Sequence, residues 1–285
     1  MEHPVSHAPS RALVLLFALP LVTLALLTEE VAEGEPFRWD WPALIGVHRL
    51  NGVLLDAVMA LFTVSGAGIG LAMGVAVTVF ALLLRGRHGQ ILFLIAAVEG
   101  ASLVERTLKA SLAKPRPGLP PGNELGWLHW YQLGLLVAMA SALVLVWRVR
   151  SRRWAMVLAG TFLVAVGLSE IETLWTWATP AGGYSFPSGH ATGSMALTAV
   201  FVMLAWPTRG RWWALLGGAV YAIGVGLSRL HLGVHFPSDI LAGWAVALAW
   251  VAGIRLFLPD CALNWRSSRL ARLERWAAGE QRASP

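Results

Sequence analysis

Long apolar stretches constrain this chain more than any other feature of its sequence. A helix that crosses a bilayer needs roughly 18 or more predominantly apolar residues. We identify eight such stretches, at about 12–28, 67–84, 90–108, 129–147, 154–175, 189–206, 212–229 and 238–256. Only 13% of the residues are charged, about half of the roughly 25% usual in soluble domains. The sequence therefore predicts an all-α integral membrane protein with about eight transmembrane helices.

The placement of arginine gives these predicted spans an orientation. Arginines gather in alternate loops and in the C-terminal tail, whereas the loops between them are poor in cations. Because cationic loops are retained in the cytoplasm, we expect both termini inside and the other loops at the periplasm or cell exterior. This predicts a multi-pass protein of a bacterial cytoplasmic (inner) membrane. The first stretch also resembles a signal peptide, but no small-residue cleavage site follows it before Glu29, which favours a retained span.

The rest of the chain adds no second domain. We predict one membrane-embedded domain over 1–285, an amphipathic helix over 42–63, and a basic cytoplasmic tail over 262–285 that either lies on the inner leaflet or is solvated. The formal net charge of +6 is dispersed between apolar runs, so no nucleic-acid surface is expected. Cys261 is the only cysteine, which excludes an intramolecular disulfide and a cysteine zinc set.

Three polar clusters interrupt the apolar sequence, and all three are predicted at the outer ends of spans. The first runs from Lys109 to Pro117 and contains both lysines of the chain, Lys109 and Lys114, together with Arg116. Taken alone, it is equally typical of a charged helix end with a proline stop. Polar residues are costly in a membrane protein, so their accumulation on one side indicates a site.

The second cluster is a Pro-Ser-Gly-His turn that opens an apolar helix, with Ser188, Gly189 and His190. Free N–H groups and the positive end of the helix dipole make such a turn suitable for an anion. A polar helix cap with a histidine at the membrane interface is the structural alternative.

The third cluster precedes the last predicted span and contains Arg229, His235 and Asp239. Pro237 suits a first helical turn, which brings Asp239 within reach of His235. A carboxylate bonded to one imidazole nitrogen fixes the tautomer and leaves the other nitrogen to act as a nucleophile. Together the three clusters supply cations, neutral donors, two histidines and one aspartate. This set predicts direct binding of a phosphate, with neither a metal nor another cofactor.

These residues resemble the three signature motifs of the type 2 phosphatidic acid phosphatase family, whose superfamily includes vanadium haloperoxidases and bacterial acid phosphatases. The matching segments are Lys109-x6-Arg116-Pro117, Pro187-Ser188-Gly189-His190 and Ser228-Arg229-x5-His235-x3-Asp239. The resemblance implies that His235 is the nucleophile, that Asp239 orients it, and that His190 protonates the leaving oxygen. The residues implied to bind the phosphoryl group are Lys109, Arg116, Arg229, Ser188 and Gly189.

One segment departs from the family pattern. Membrane members usually have six spans, whereas 128–177 is predicted to insert a further helix pair between the first and second motifs. An even number of added spans returns the chain to the same side, so the three motifs remain together. The pair is expected to shape a lipid access groove or a dimer contact.

The leading hypothesis is hydrolysis of a lipid mono- or diphosphate, with undecaprenyl diphosphate favoured over phosphatidic acid, phosphatidylglycerol phosphate and a lipid A phosphate. A lipid phosphotransferase would use the same phosphohistidine, and only the access of water or an acceptor separates the two. A lipid-phosphate carrier would need the cations but not the histidines. Among the other polar residues, we expect His231 to pack rather than react, and Glu105 to pair with Lys109 at helical spacing.

Overall fold

The computed structural model describes residues 11–34, 37–50, 52–66, 68–119 and 183–258, and every regular element in these ranges is an α-helix. They are α1 (Arg11–Glu33), α2 (Asp40–His48), α3 (Val53–Gly66), α4 (Gly68–Leu84), α5 (His88–Leu112), α6 (Gly189–Ala205), α7 (Arg211–His231) and α8 (Pro237–Phe257). The all-helical fold class is thereby confirmed. The predicted inserted pair at 128–177 and the tail at 262–285 lie outside the described residues.

Length and apolar composition qualify three described helices to cross a membrane, namely α1, α7 and α8, and the bent pair of α3 and α4 would add a fourth. The predicted spans at 90–108 and 189–206 do coincide with α5 and α6. However, α6 is only 17 residues long, and α5 carries Glu99, Glu105, Arg106 and Lys109. Long apolar helices indicate a membrane protein, but the count of about eight spans stays a prediction.

The predicted helix over 42–63 is wrong in one respect, because the structure divides it into α2 and α3. Its start is as expected, with Asp40 and Pro42 in the first turn of α2. The backbone N–H groups of Arg49 and Leu50 then close a last turn onto Ile45 and Val47. The Asn-Gly pair that follows is a turn signal, in agreement with the end of α2 before it.

The core is built around α6, which packs against α5, α7 and α8. Small residues allow these helices to approach closely, as is usual in membrane bundles. At Gly243 of α8, an added Cβ would stand 2.7 Å from the carbonyl oxygen of Ser188. Because α5 and α7 end where α6 and α8 begin, the three polar clusters meet at one end of the bundle.

Candidate active site

The first cluster leaves α5 as an extended loop that reaches across the end of the bundle. Ala113 adopts a left-handed conformation at φ 48° and ends α5, and the two prolines that follow prevent the helix from continuing. The guanidinium of Arg116 donates to the carbonyl of Val234 at 3.0 Å. The same nitrogen lies 3.4 Å from Nε2 of His235. Arg116 is therefore held directly against the histidine of the third cluster.

The second cluster forms the N-terminus of α6, and Ser188 is its N-cap. The backbone N–H of Ser188 donates to the carbonyl of Asp239 at 2.9 Å, which fixes this turn to the start of α8. The Ser188 hydroxyl and Nε2 of His190 are both buried and have no hydrogen-bond partner within the described ranges. Buried polar atoms are normally hydrogen-bonded, so these two groups are available to a ligand.

The third cluster spans the end of α7, a tight turn and the start of α8. Gly233 takes a left-handed φ of 68° in this turn, which a residue with a Cβ adopts only with strain. Nδ1 of His235 then faces Oδ2 of Asp239 at 3.4 Å, a distance long for a hydrogen bond. The same oxygen accepts the backbone N–H of Phe236 at 2.8 Å. The imidazole thus presents Nδ1 to a carboxylate and Nε2 to Arg116.

The electrostatics around His235 favour a neutral ring at that residue and a bound anion beside it. Burial lowers the pKa of His235 well below its ordinary value of 6.5, and the positive charges of Arg229, Arg116 and Lys109 lower it further. Burial also lowers the pKa of Arg116, whereas the negative charges of Asp239 and Glu105 raise it. A neutral His235 keeps the lone pair that a nucleophile requires.

The structure brings all eight sequence-predicted site residues to this end of the bundle. Arg229 is completely buried at the end of α7, where its guanidinium donates to the hydroxyl of Thr63 on α3. Lys109 pairs with Glu105, as predicted from their spacing. Gly189 lies against Glu105, since an added Cβ would stand 3.1 Å from its Oε1. The catalytic and binding roles of these residues stay predictions.

Sequence reasoning missed a group of polar residues behind His235. The ammonium of Lys114 contacts Asp239, Ser238 and Asp40, and Asp40 comes from the start of α2. The only sequence signal was that Lys114 is one of two lysines in a chain otherwise biased to arginine. Asp40 gave no signal beyond that of a helix start.

Two other histidines acquire partners. Nε2 of His231 lies 3.0 Å from Oδ1 of Asp56 on α3, in agreement with the expected packing role. His48 has no evident partner in the sequence, but the structure gives it one. Its Nδ1 donates to the carbonyl of His231 at 2.8 Å, so it joins α2 to α7.

A groove of about 430 Å³ opens beside Arg116. Its walls are largely apolar, and its polar end is formed by Asp40, Lys114 and Arg116. The apolar lining comes from α1, α2, the end of α5 and the turn before α8, at Val31, Trp41, Leu112 and Phe236. Within the described ranges, no three His, Cys, Asp or Glu side chains converge closely enough to hold a metal ion.

Comparison with known proteins identifies a family. The family model described as the PAP2 superfamily matches residues 87–262, which is more than half of the chain. In the Undecaprenyl-diphosphatase of Sulfolobus acidocaldarius, 126 aligned residues are 29% identical and cover 39% of this chain and 58% of that protein. The Decaprenylphosphoryl-5-phosphoribose phosphatase of Mycolicibacterium smegmatis is 32% identical over 159 residues, which cover 52% of this chain and 83% of that protein.

A solved structure supports the fold. The transmembrane PAP2-type phosphatidylglycerolphosphate phosphatase of Bacillus subtilis superimposes with a TM-score of 0.52. The match covers 86% of this chain and 94% of that chain at 18% sequence identity. At that identity the likeness concerns the fold alone, which is that of a transmembrane helical bundle.

Proposed function

We propose that this chain, which belongs to the PAP2 superfamily, is a phosphatase of lipid phosphates, as its relatives are named, and that it acts through a phosphohistidine formed on His235. The observation that carries the proposal is the orientation of that imidazole. Nε2 lies 3.4 Å from the Arg116 guanidinium, and Nδ1 faces the Asp239 carboxylate. One nitrogen thus points to where an anion would bind, and the other points to a proton acceptor.

The first step transfers the phosphoryl group to the protein. The Nε2 lone pair of His235 forms a bond to the terminal phosphorus while the bond from that phosphorus to its leaving oxygen breaks. The leaving oxygen is the bridging oxygen of a diphosphate or the ester oxygen of a monophosphate. Asp239 stabilises the positive charge that develops on the ring, and His190 gives its proton to the departing oxygen. Three cations stabilise the charge on the equatorial phosphoryl oxygens, namely Lys109, Arg116 and Arg229. The Ser188 hydroxyl and the Gly189 N–H donate hydrogen bonds to the same oxygens.

The second step releases phosphate. His190, now neutral, takes a proton from water, and the water oxygen bonds to phosphorus as the bond to Nε2 breaks. Inorganic phosphate leaves and His235 is regenerated as neutral imidazole. The buried, unpartnered Nε2 of His190 supports this role, because it is free to exchange a proton with a ligand.

We favour undecaprenyl diphosphate as the substrate, with phosphatidylglycerol phosphate, phosphatidic acid and a lipid A phosphate as alternatives. The apolar groove beside Arg116 supports a long lipid chain whose phosphate lies at Arg116. The polyprenyl substrates named for the Sulfolobus and Mycolicibacterium relatives support the preference. A phosphotransferase would use the same intermediate, so phosphate release with and without an acceptor lipid separates transfer from hydrolysis.

The decisive experiment uses the full chain purified in detergent with EDTA. Phosphate release is measured from undecaprenyl diphosphate, phosphatidylglycerol phosphate and phosphatidic acid, for the native protein, His235→Ala and His88→Ala. His88 begins α5, at the opposite end of that helix from Lys109, and serves as the matched histidine control. We expect release in EDTA by the native protein and His88→Ala, and a loss of at least about 1,000-fold in His235→Ala. Activity that depends on a divalent cation, or that survives in His235→Ala, would refute the mechanism.

We also propose that the site faces the periplasm or cell exterior of a bacterial cytoplasmic membrane, within an eight-span topology that includes the pair at 128–177. In a Cys261→Ser background, single cysteines replace Ser111 and Thr208, both of which are exposed near opposite ends of the bundle. An impermeant maleimide should label S111C in intact cells and T208C only after lysis. The reverse pattern would place the site in the cytoplasm.

A further inference from the structure

Lys114 occupies the most completely satisfied cation position of the described site. A lysine ammonium has three N–H donors, and each one has an acceptor here. The acceptors are Oγ of Ser238 at 2.8 Å, Oδ1 of Asp239 at 2.9 Å and Oδ2 of Asp40 at 3.3 Å. No donor of Lys114 is left over for a substrate phosphate, in contrast to the role expected of Lys109.

Aromatic rings restrict the same ammonium from the other side. Its nitrogen lies 4.6 Å from the ring centroid of Phe236 and 5.7 Å from those of Phe37 and Phe186. Distances of this size fall within the range of cation–π attraction. The side chain retains only 16% exposure. Lys114 is therefore fixed in one position by hydrogen bonds and packing together.

The contact with Lys114 determines how the Asp239 carboxylate is turned. Oδ1 of Asp239 accepts from Lys114, so Oδ2 is the oxygen that faces the backbone N–H of Phe236 and the His235 ring. Without the ammonium, only the Phe236 N–H and Ser185 would hold the carboxylate, and the oxygen opposite Nδ1 would be less firmly placed. A carboxylate in the correct orientation keeps the imidazole in the tautomer whose Nε2 is unprotonated.

Asp40 holds Lys114 in place and adds a second negative charge behind the imidazole. Its Oδ1 accepts the backbone N–H of Ser238 at 2.9 Å, and its Oδ2 accepts the Ser238 hydroxyl at 2.6 Å. Two carboxylates thus surround one ammonium on the Nδ1 side of His235. Their excess negative charge favours the cationic ring that forms as Nε2 bonds to phosphorus.

We infer that Lys114, anchored by Asp40, is a positioning residue that orients Asp239 against His235. The inference rests on the proposed nucleophilic function of His235. It assigns Lys114 no contact with the substrate.

The test measures kcat, KM and the pH profile of Lys114→Met in the full chain. We expect kcat to fall about 10- to 100-fold, as when a supporting group is removed from an active site, with KM within about twofold of native. The charged groups that face His235 are Arg229, Arg116, Lys109 and Asp239, with Lys114 behind Asp239. Loss of the Lys114 cation makes His235 easier to protonate. The acid limb of the pH profile, where kcat/KM falls as the pH is lowered, should therefore move up by about 1 pH unit.

Asp40→Asn is the companion variant, and it keeps the protein folded more readily because Lys114 still pairs with Asp239. It removes a negative charge, so its acid limb should move to lower pH while kcat falls less than about tenfold. Combining both substitutions should return the limb toward its native position. A purely structural role would not move the two limbs in opposite directions.

Outcomes separate this inference from the proposed function. If His235→Ala is inactive and Lys114→Met has native kcat, the positioning role is wrong. If Lys114→Met raises KM and leaves kcat unchanged, Lys114 binds substrate instead. If His235→Ala is itself active, the proposed mechanism fails whatever Lys114 does.

Discussion

The two sides of the His235 ring differ in how their charges are satisfied. On the Nε2 side, the cations Lys109, Arg116 and Arg229 all approach the ring, and Glu105 pairs with Lys109 and acts on Arg116. On the Nδ1 side, one ammonium faces two carboxylates. The Nε2 side also carries the buried hydroxyl of Ser188 and Nε2 of His190, neither of which has a partner among the described residues.

This difference separates binding from positioning. A cluster of buried cations is unfavourable unless an anion completes it, so the Nε2 side is arranged for a ligand. The Nδ1 side is complete without one, because its ammonium has an acceptor for every N–H. Substitutions on the first side should therefore change both ligand binding and turnover, whereas those on the second should change turnover alone.

The largest effect is expected from Arg116→Gln, which removes the cation in contact with Nε2. Loss of one donor to developing charge costs about 100- to 1,000-fold in kcat, and the affinity for inorganic phosphate as an inhibitor should fall as well. Steady-state kinetics and phosphate inhibition measure the two effects.

Arg211→Gln is the matched control for Arg116→Gln. Arg211 begins α7, where it contacts the rings of Trp206 and Trp212, far from the polar end. Its kcat and phosphate inhibition should stay native. Equal losses in the two variants would show that net charge, rather than the contact with His235, controls turnover.

The comparison also shows what the sequence can predict. Six apolar runs coincide with described helices, and the ligand side was found because its residues recur at short, regular spacings within three segments. The Nδ1 side was not found. Asp40 lies 74 residues before Lys114 and 198 before Ser238, and such long-range pairs leave no local pattern. The His48 contact was missed for the same reason, whereas the break between α2 and α3 had a local signal in the Asn-Gly pair.

A second prediction concerns the pH dependence of the native protein. Because burial and three cations hold the pKa of His235 well below 6.5, the ring stays neutral as the pH falls through 6.5. We expect kcat/KM to persist into that acidic range and to decline only as His235 is protonated. In Arg116→Gln the limb should move about 1 unit upward. A native limb at or above pH 6.5 would contradict the assignment of His235 as the titrating group.

A third prediction tests the backbone that joins the two sides. The Ser188 N–H donates to the Asp239 carbonyl, and the Ser188 carbonyl leaves only 2.7 Å for a Cβ at Gly243. Gly243→Ala should separate α6 from α8 and destabilise the protein by about 1–3 kcal/mol, with a severalfold loss of kcat. Thermal unfolding in detergent and kinetics measure both.

Gly217→Ala is the control for the close approach at Gly243. An added Cβ at Gly217 meets no atom within 4 Å, and alanine is the better helix former by about 1 kcal/mol. Its unfolding temperature should be native or slightly higher. Native stability and native kcat in Gly243→Ala would mean that the helices adjust without disturbing either side of the His235 ring.

The smallest effect is expected from Glu105→Gln. This variant sharpens the comparison because it removes the carboxylate that pairs with Lys109 on the Nε2 side. Glu105 is buried against Lys109 and Gly189, so its charge competes with an anion bound at the turn. We expect the inhibition constant of inorganic phosphate to fall about two- to fivefold, a modest electrostatic change for a partly solvated site. Glu99→Gln on the exposed face of the same helix should leave that constant unchanged. Weaker phosphate binding in Glu105→Gln would mean that Glu105 serves mainly to orient Lys109, and the Nε2 side would then depend on that carboxylate as the Nδ1 side depends on Asp40.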